Sequence, residues 1–591
     1  MSQKVISLKG VQVGIQRDGT LFDAPSYVDG KWVRFQRGRP RKIGGYKGIF
    51  QNAPGISRGM VMNSQNGLNY VYSGFSGTLQ YWITDTDDGV GSGPYAVTMT
   101  NGFTSNANNL WQFDIGYDTN GAGANVIVAH PGQNLADIDS TVVTPVLYGT
   151  FPGGAMSKVG QFTASVALNS TAVGTITGAD TRVYPGQLVT GTGIPANTTV
   201  VSALPSSGNT AVTFSNAATV TSTQTLTFDN QIAVSGGCVI VHPYLFVYGD
   251  NGLIQNTSAG NFQDWVSADA NANNVATGKI VKGMPVRGGT ASPSALFWSL
   301  DSLIRVSYSP QTVGTSSSYW RYDIISSQSS IMSSQCVIEY DGIYYWCGVD
   351  RFLMYNGVVK EVKNNQNMNW FFDNLNYVQR QKVWVSKVPR WGEIWWFYPR
   401  GNDTECTDAL IYNVRLDTWY DAGEALGARR SAGVFSEVFR FPVWAGNELN
   451  SNGDTILWQH EVGVNAINLA VQDAIQSYVE TNSLGWNTGG PGVQDQLAGD
   501  NNWMRFDRVE PDFVQSEAMN MYITGKSYAD DADVVSAPYV FSPGTPKIDI
   551  HGEQRREPRL RFESNVLNGN FEMGEVLISV DISDVRGTAN P

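Results

Sequence analysis

Four histidines, four cysteines and 52 Asp and Glu residues are the groups in this 591-residue sequence with the most obvious chemistry. Imidazoles and thiolates hold zinc at short fixed spacings. His130, His242, His460 and His551 stand too far apart for that, and so do Cys238, Cys336, Cys347 and Cys406. The nucleophile elbow GxSxG, the phosphate loop GxxxxGK[ST] and a placed GxGxxG are missing, and "GVGSGP" reads as a turn. "DTDDG" has calcium-loop composition, but its glycine comes one position early and Ala96 replaces the Glu required at the twelfth position from Asp85. "YADDADV", with Asp530, Asp531 and Asp533, reads as an exposed linker rather than a cation site. The expectation is no metal, no cofactor, no catalytic residue and no enzymatic activity. A glycosidase needs two carboxylates at a set separation, which a sequence does not supply, and sialidase-type Ser-x-Asp-x-Gly-x-x-Trp boxes are not found.

One stretch concentrates charge. "DGKWVRFQRGRPRKIGGY", residues 29 to 46, holds Lys31, Arg34, Arg37, Arg39, Arg41 and Lys42 in a chain of net charge -13 and pI about 4.9. A phosphate-gripping surface gathers its cations on one side and releases counterions. If "KWVRFQR" is a strand, Val33, Phe35 and Arg37 point one way, Trp32, Arg34 and Gln36 the other, with Arg39 to Lys42 beyond a Gly38-Arg39-Pro40 turn. Arginines split over two faces among aromatic rings suit domain or subunit contacts, where they pair with carboxylates and stack. Arg34, Arg37, Arg39, Arg41 and Lys42 are therefore the candidate subunit or adaptor interface.

The elements that must carry these residues are strands. Charged residues make up 15%, against roughly 25% in ordinary soluble domains, while aromatic residues reach 12% and glycines number 63. Short β runs closed by Asn, Asp, Gly and Ser recur along the chain. Helical periodicity tempts only at "NAINLAVQDAIQSYVE" (465 to 480), which reads equally well as strand. In "CVIEYDGIYYWC", Asp341-Gly342 suits a type I′ turn and places Tyr340 opposite Ile343, Ile338 opposite Tyr345, Val337 opposite Trp346 and Cys336 opposite Cys347. Both faces of that hairpin are apolar, as in propeller blades stacked on blades. Segments such as "VYSGFSGTLQYW" and "IYNVRLDTWYDAG" repeat an aromatic-tagged hairpin, the usual sign of radial repetition.

The expected class is all-β: a β-propeller core with an inserted small β-sandwich and a C-terminal β module. Residues 1–160 carry N-terminal strands and the first blades, 161–230 the insert, 231–470 the remaining blades and 471–591 the C-terminal domain. The insert stands out because Asp180, Arg182 and Asp229 are its only charges among Thr, Val, Ala and Ser. No run of about 18 apolar residues is present, and "MSQKVISLKGVQVGIQRDG" lacks the apolar stretch of a signal peptide. Cytoplasmic assembly, reduced cysteines and no membrane span are expected.

"SYVDGKWVRFQRGRPRKIGGYKGI" resembles the N-terminal pattern of tail nozzle proteins of short-tailed phages, also called packaged-DNA stabilisation proteins: Asp-Gly-x-x-Val-Arg-Phe, a basic turn, then Gly-Gly-aromatic. "IQNTSAGNFQDW" is similar to that group's Ser-x-x-Gly-Asn-x-x-Asp-Trp hairpin, and "RVEPDF" through "REPRLRFESNVLNGNFEMGEV" to its C-terminal module. The insert resembles the "GTGIP" small β domains of phage structural proteins. Tyr27 and Lys31 depart from the pattern, where Trp and Asn are expected. The resemblance implies a virion tail protein forming a sixfold ring (homohexamer) below the portal and head-to-tail adaptor and meeting tail fibre or needle proteins. Such a ring passes double-stranded DNA without sequence-specific binding. It retains packaged DNA and opens on ejection into the host. The alternative is a propeller-type receptor-binding or glycan-cleaving tail protein.

Overall fold

The computed structural model describes residues 4–21, 24–65, 67–84, 91–97, 110–118, 124–131, 147–150, 156–157, 161–177, 183, 185–206, 209–229, 234–262, 264–265, 267–286, 292–313, 316–436, 440–484, 503–526 and 531–584. "DTDDG" and Asp530 lie outside them, while Gly91–Ala96, part of the stretch read as a turn, is a strand.

The architecture is an all-β propeller. Six four-stranded antiparallel sheets follow one another as blades one to six, led by the strands Met60–Gln65, Gln112–Asp118, Gly237–Val241, Ile280–Pro285, Val337–Tyr340 and Trp384–Val388. Blade seven takes Arg430–Val434, Val443–Gly446 and Thr455–His460 from late in the chain and Tyr46–Ala53 from early in it. His460 lies opposite Tyr46 and Thr455 opposite Ala53, so the ring is closed by pairing distant parts of the chain. Each blade buries both faces against its neighbours, which is why strands such as Glu393–Tyr398 are buried at every position. Phe50, Val71 and Trp82 pack with Val443 and Leu457 between blades seven and one. Tyr72 and Leu79 meet Trp111 and Ile127 between one and two.

The Asp341-Gly342 hairpin has the expected register over Val337–Tyr340 and Ile343–Cys347. Its two turn residues have φ of 50° and 79°, the type I′ signature. All four cysteines are free and buried, with Cys336 Sγ donating to the Cys347 carbonyl at 3.3 Å.

The described residues of 161–229 form a separate six-stranded sheet between blades two and three, with a core of Phe162, Ile176, Val212, Leu226, Phe228 and their neighbours. Its first and last strands pair, Gln161 opposite Thr227.

The remaining module joins both ends of the chain. One sheet runs Lys4–Ser7, Leu577–Asp584, Trp503–Glu510, Gln554–Ser564, Ser477–Glu480 and Asp29–Lys31, with Met519–Lys526 and shorter strands branching from it. The other contains Phe513–Gln515, Phe571–Met573, Arg39–Lys42 and Val33–Gln36. The stretch open to either helix or strand is three strands, Asn465–Asn468, Val471–Ala474 and Ser477–Glu480, which lead from blade seven into this module.

Candidate functional site

The basic stretch folds as a tight hairpin whose turn is Arg37-Gly38 rather than Gly38-Arg39-Pro40. Both turn residues have positive φ, 51° and 77°, and Gln36 pairs with Arg39, Arg34 with Arg41 and Val33 with Lys42. Val33 and Phe35 enter the module core. Trp32, just before the strand, is fully buried with its ring against Tyr46, Trp395 and His460 and its Nε1 donating to the Gly44 carbonyl at 3.1 Å.

Arg34 is buried, 1% exposed, where the module meets blades six and seven. Its Nη1 and Nη2 donate to the two oxygens of Glu461, both at 2.7 Å, and Nη2 also donates to Glu393 Oε2 at 3.0 Å. The carboxylates have further donors. Tyr420 hydroxyl reaches Glu393 at 2.6 Å, Trp395 Nε1 reaches it at 3.0 Å, and Trp391 Nε1 reaches Glu461 at 2.8 Å. Burial pushes the Glu393 pKa up, against the pull of the Arg34 charge. Trp391 carries Arg34, Arg41 and Arg390 over its ring at 4.8, 4.9 and 4.8 Å. Charge-assisted bidentate bonds and stacked guanidinium groups make a rigid joint.

This corrects part of the expected interface. Arg34 and Lys42 are buried in their own chain and cannot reach a partner; Lys42 Nζ donates to the Gly569 carbonyl at 2.7 Å, and burial lowers its pKa to about 8. Arg41 is held by Gln36 at 2.9 Å and Glu572 at 3.2 Å. Arg37 is exposed and Arg39 half-buried, and these two are left to face outward.

A second joint clamps the N-terminal segment to blade six. Arg17 donates from Nε and Nη2 to Asp421 at 3.2 and 3.1 Å and also pairs with Asp29. Next to it Asp408, fully buried, accepts from Tyr398 hydroxyl at 3.3 Å. Its pKa is pushed up to about 7, first by burial and then by the Asp421 charge. A buried carboxyl whose pKa is raised beside a second carboxylate is the electrostatic pattern of an acid and base pair. Here Asp421 is bound to Arg17 of the N-terminal segment, while Asp408 accepts from Tyr398 and from the backbone N–H groups of Ala409 and Glu424.

A signal for these partners lies in the strands themselves and not in overall composition. Glu393 in "EIWWFY" and Asp421 in "TWYD" are single acids in strands that are otherwise uncharged, and a charge committed to a buried strand requires a counter-charge. Which cation supplies it depends on contacts hundreds of residues away.

Among the histidines, His130 and His460 are buried and His242 and His551 exposed. His130 Nε2 lies 3.1 Å from the Val234 carbonyl, and His460 accepts from Arg430 Nε at 2.9 Å. No group of three or more His, Cys, Asp or Glu residues suited to a metal ion occurs among the described residues. No helix among them is long and apolar enough to cross a membrane.

The leading strands of the blades surround a narrow axis. A cavity of about 150 Å³ there is lined by Met60, Gln112, Lys282, Gln335, Trp384 and residues beside them. A second, of about 250 Å³, shares Val385 and Gly433 with it and contains Glu339 and Lys387. DNA, whose major groove alone is about 12 Å wide, does not fit along this axis.

No protein-family model matches the chain, and no curated protein matches it. Among solved structures it is similar to an exo-β-1,3-galactanase from Phanerochaete chrysosporium, at 10% identity over 91% of this chain and 100% of that one, TM-score 0.26. It is also similar to a Trypanosoma rangeli sialidase, at 8% identity over 97% and 96%, TM-score 0.24. An ulvan lyase is a third, at 10% identity over 74% and 92%, TM-score 0.23. The expectation of no enzymatic activity is corrected on this point. Those three are enzymes, which stands against that expectation, and likenesses this distant assign this chain no reaction.

Proposed function

We propose that the chain is the repeating subunit of a tail nozzle ring of a short-tailed phage, with the DNA conduit formed between copies. One observation carries the reading. The N-terminal and C-terminal stretches that resemble nozzle proteins, some 500 residues apart, are adjacent strands of one sheet, with Arg41 opposite Glu572 and Lys42 bonded to Gly569. A shared pattern that builds one module from both regions fits a rigid structural part. The closed ring of blades and the internal arginine joints would keep such a subunit stiff under load. Arg37 and Arg39, left facing outward, are cations of this stretch available to a neighbouring copy or an adaptor. The net charge of -13 supports passage of DNA without retention, because like charge raises the energy of phosphates in a confined lumen.

Binding of linear duplex DNA tests the reading. A conduit subunit binds weakly, without sequence preference and with little dependence on salt; tight binding that falls steeply with added salt, the mark of several neutralised phosphates, contradicts it.

The second reading is a receptor-binding or glycan-cleaving tail protein. It is favoured by a pocket of about 200 Å³ beside blade seven, lined by Trp458, Tyr46, Arg429, Arg430, Asn447 and Asp473, a mixture of rings and polar groups suited to a sugar. Release of reducing ends from a panel of bacterial surface polysaccharides, abolished by replacing one carboxylate, would establish it in place of the first.

A further inference from the structure

We propose that the propeller axis holds a binding site for a small oxyanion, with Lys282 as its cation; the inference goes beyond the nozzle reading and does not depend on it.

Among the described residues Lys282 is the one charged group lining the 150 Å³ axial cavity; the others are Gly59, Met60, Trp111, Gln112, Phe113, Gln335, Val337, Trp384, Val385 and Gly433. Blades one, two, four, five, six and seven all contribute to the wall. Lys282 is placed there by a local irregularity. The register between Ile280–Pro285 and Ser294–Ser299 slips after Ile280, so that Ile280 faces Ser299 and Lys282 faces Trp298, the next residue back. A bulge of this kind re-aims a side chain, and bulges are enriched beside functional sites. The intervening Val281 turns its side chain into the core between blades four and five, and its carbonyl accepts from Gln112 Nε2 at 3.2 Å.

The polar neighbours are already committed. Gln112 Nε2 also donates to the Gly236 carbonyl at 2.9 Å, and its Oε1 accepts from Tyr248 hydroxyl at 2.5 Å. Gln335 Nε2 donates to the carbonyls of Arg58 and Trp111 at 2.5 and 3.0 Å. The groups whose charge reaches Lys282 are Asp114, Cys238 and Cys336. Asp114 already accepts the backbone N–H groups of Ile115 and Ile240 at 2.9 and 2.8 Å, and the thiols of Cys238 and Cys336 are kept neutral by burial. The ammonium therefore stands in a polar cavity without an ion-pair partner among the described residues. Burial lowers its pKa, a cost that a bound anion relieves. The cavity accommodates an ion of the size of phosphate or a short carboxylate, and an ammonium binds either as a compact point charge. The larger cavity along the axis adds no free cation, because Lys387 already pairs with Glu339, at 3.6 Å.

Calorimetric titration of the full chain with sodium phosphate and, separately, with sodium acetate, at constant ionic strength set with chloride, tests the site. Saturable binding of one of them is expected, weakened at least tenfold in Lys282→Met. Binding of phosphate alone or acetate alone identifies the oxyanion. Absence of saturable binding of both, or equal binding by Lys282→Met, overturns the proposal. A second measurement needs no variant: carbamylation of Lys282 by cyanate, followed by peptide mass, should slow severalfold in the binding anion, and a rate that the anion leaves unchanged overturns the proposal.

Discussion

Replacing Arg34 with Met keeps most of its length and removes its charge from a site where Glu393 is fully buried and Glu461 nearly so. Two carboxylates are then left facing each other in the joint between module and propeller. Removing one partner of a buried ion pair costs about 3–5 kcal/mol, because the remaining charge has lost its water without gaining a counter-ion. The loss should depend on pH. Burial already raises the Glu393 pKa in the folded protein, and the Arg34 charge opposes that rise; without Arg34 it goes higher still. A carboxyl with a raised folded pKa binds more protons in the native than in the unfolded state. Its stabilising contribution is therefore full below the unfolded pKa and is lost as pH rises through the folded one. Urea unfolding followed by tryptophan fluorescence should give a loss of about 3–5 kcal/mol at pH 8. At pH 5 the loss should be smaller by at least about 1 kcal/mol, since each unit of pKa shift is worth about 1.4 kcal/mol. Adding Glu393→Gln and Glu461→Gln to Arg34→Met should restore much of the stability. A loss below about 1 kcal/mol at both pH values, the range of an exposed ion pair, or a larger loss at pH 5 than at pH 8, would refute the reasoning.

Asp408, with its pKa raised to about 7, should make the protein lose stability as pH rises from 5 to 8, and Asp408→Asn should flatten that slope in urea midpoints; an unchanged slope contradicts the assignment. A methyl group at Gly427 would lie 2.2 Å from the Trp32 ring, so Gly427→Ala should cost about 1–3 kcal/mol by overpacking, and full stability in calorimetry would contradict the packing. Joining residue 160 to 230 through a short glycine linker should leave the propeller cooperative on thermal unfolding, because the paired strands at Gln161 and Thr227 put the insert's two ends side by side; loss of that transition would mean that the insert belongs to the main core.

The fold was legible where information is local. Asp341-Gly342 states its own turn, and the apolar residues flanking it state that both faces are buried. The insert is legible because its composition changes within a few residues. The closure of blade seven is not, because nothing in "YKGIFQNA" names Thr455–His460 as its partner; that pairing is decided by ring geometry and contacts some 400 residues apart. The site was legible in part. Arginines interleaved with Trp and Phe read as a subunit or adaptor contact, but Arg34 and Lys42 make their contacts within the chain because Glu393, Glu461 and the Gly569 carbonyl come from distant segments. Lys282 in "IVKGMP" gave no signal, since only the register slip aims it at the axis.

The central claim, that copies of this chain form a ring around DNA, is tested most directly by negative-stain imaging of the purified chain together with native mass measurement on the same sample. The account predicts rings of six copies with an opening wide enough for a duplex, lost when Arg37 and Arg39 are both replaced with Ala. A particle of one chain at every concentration, alone and with its adaptor, would contradict it.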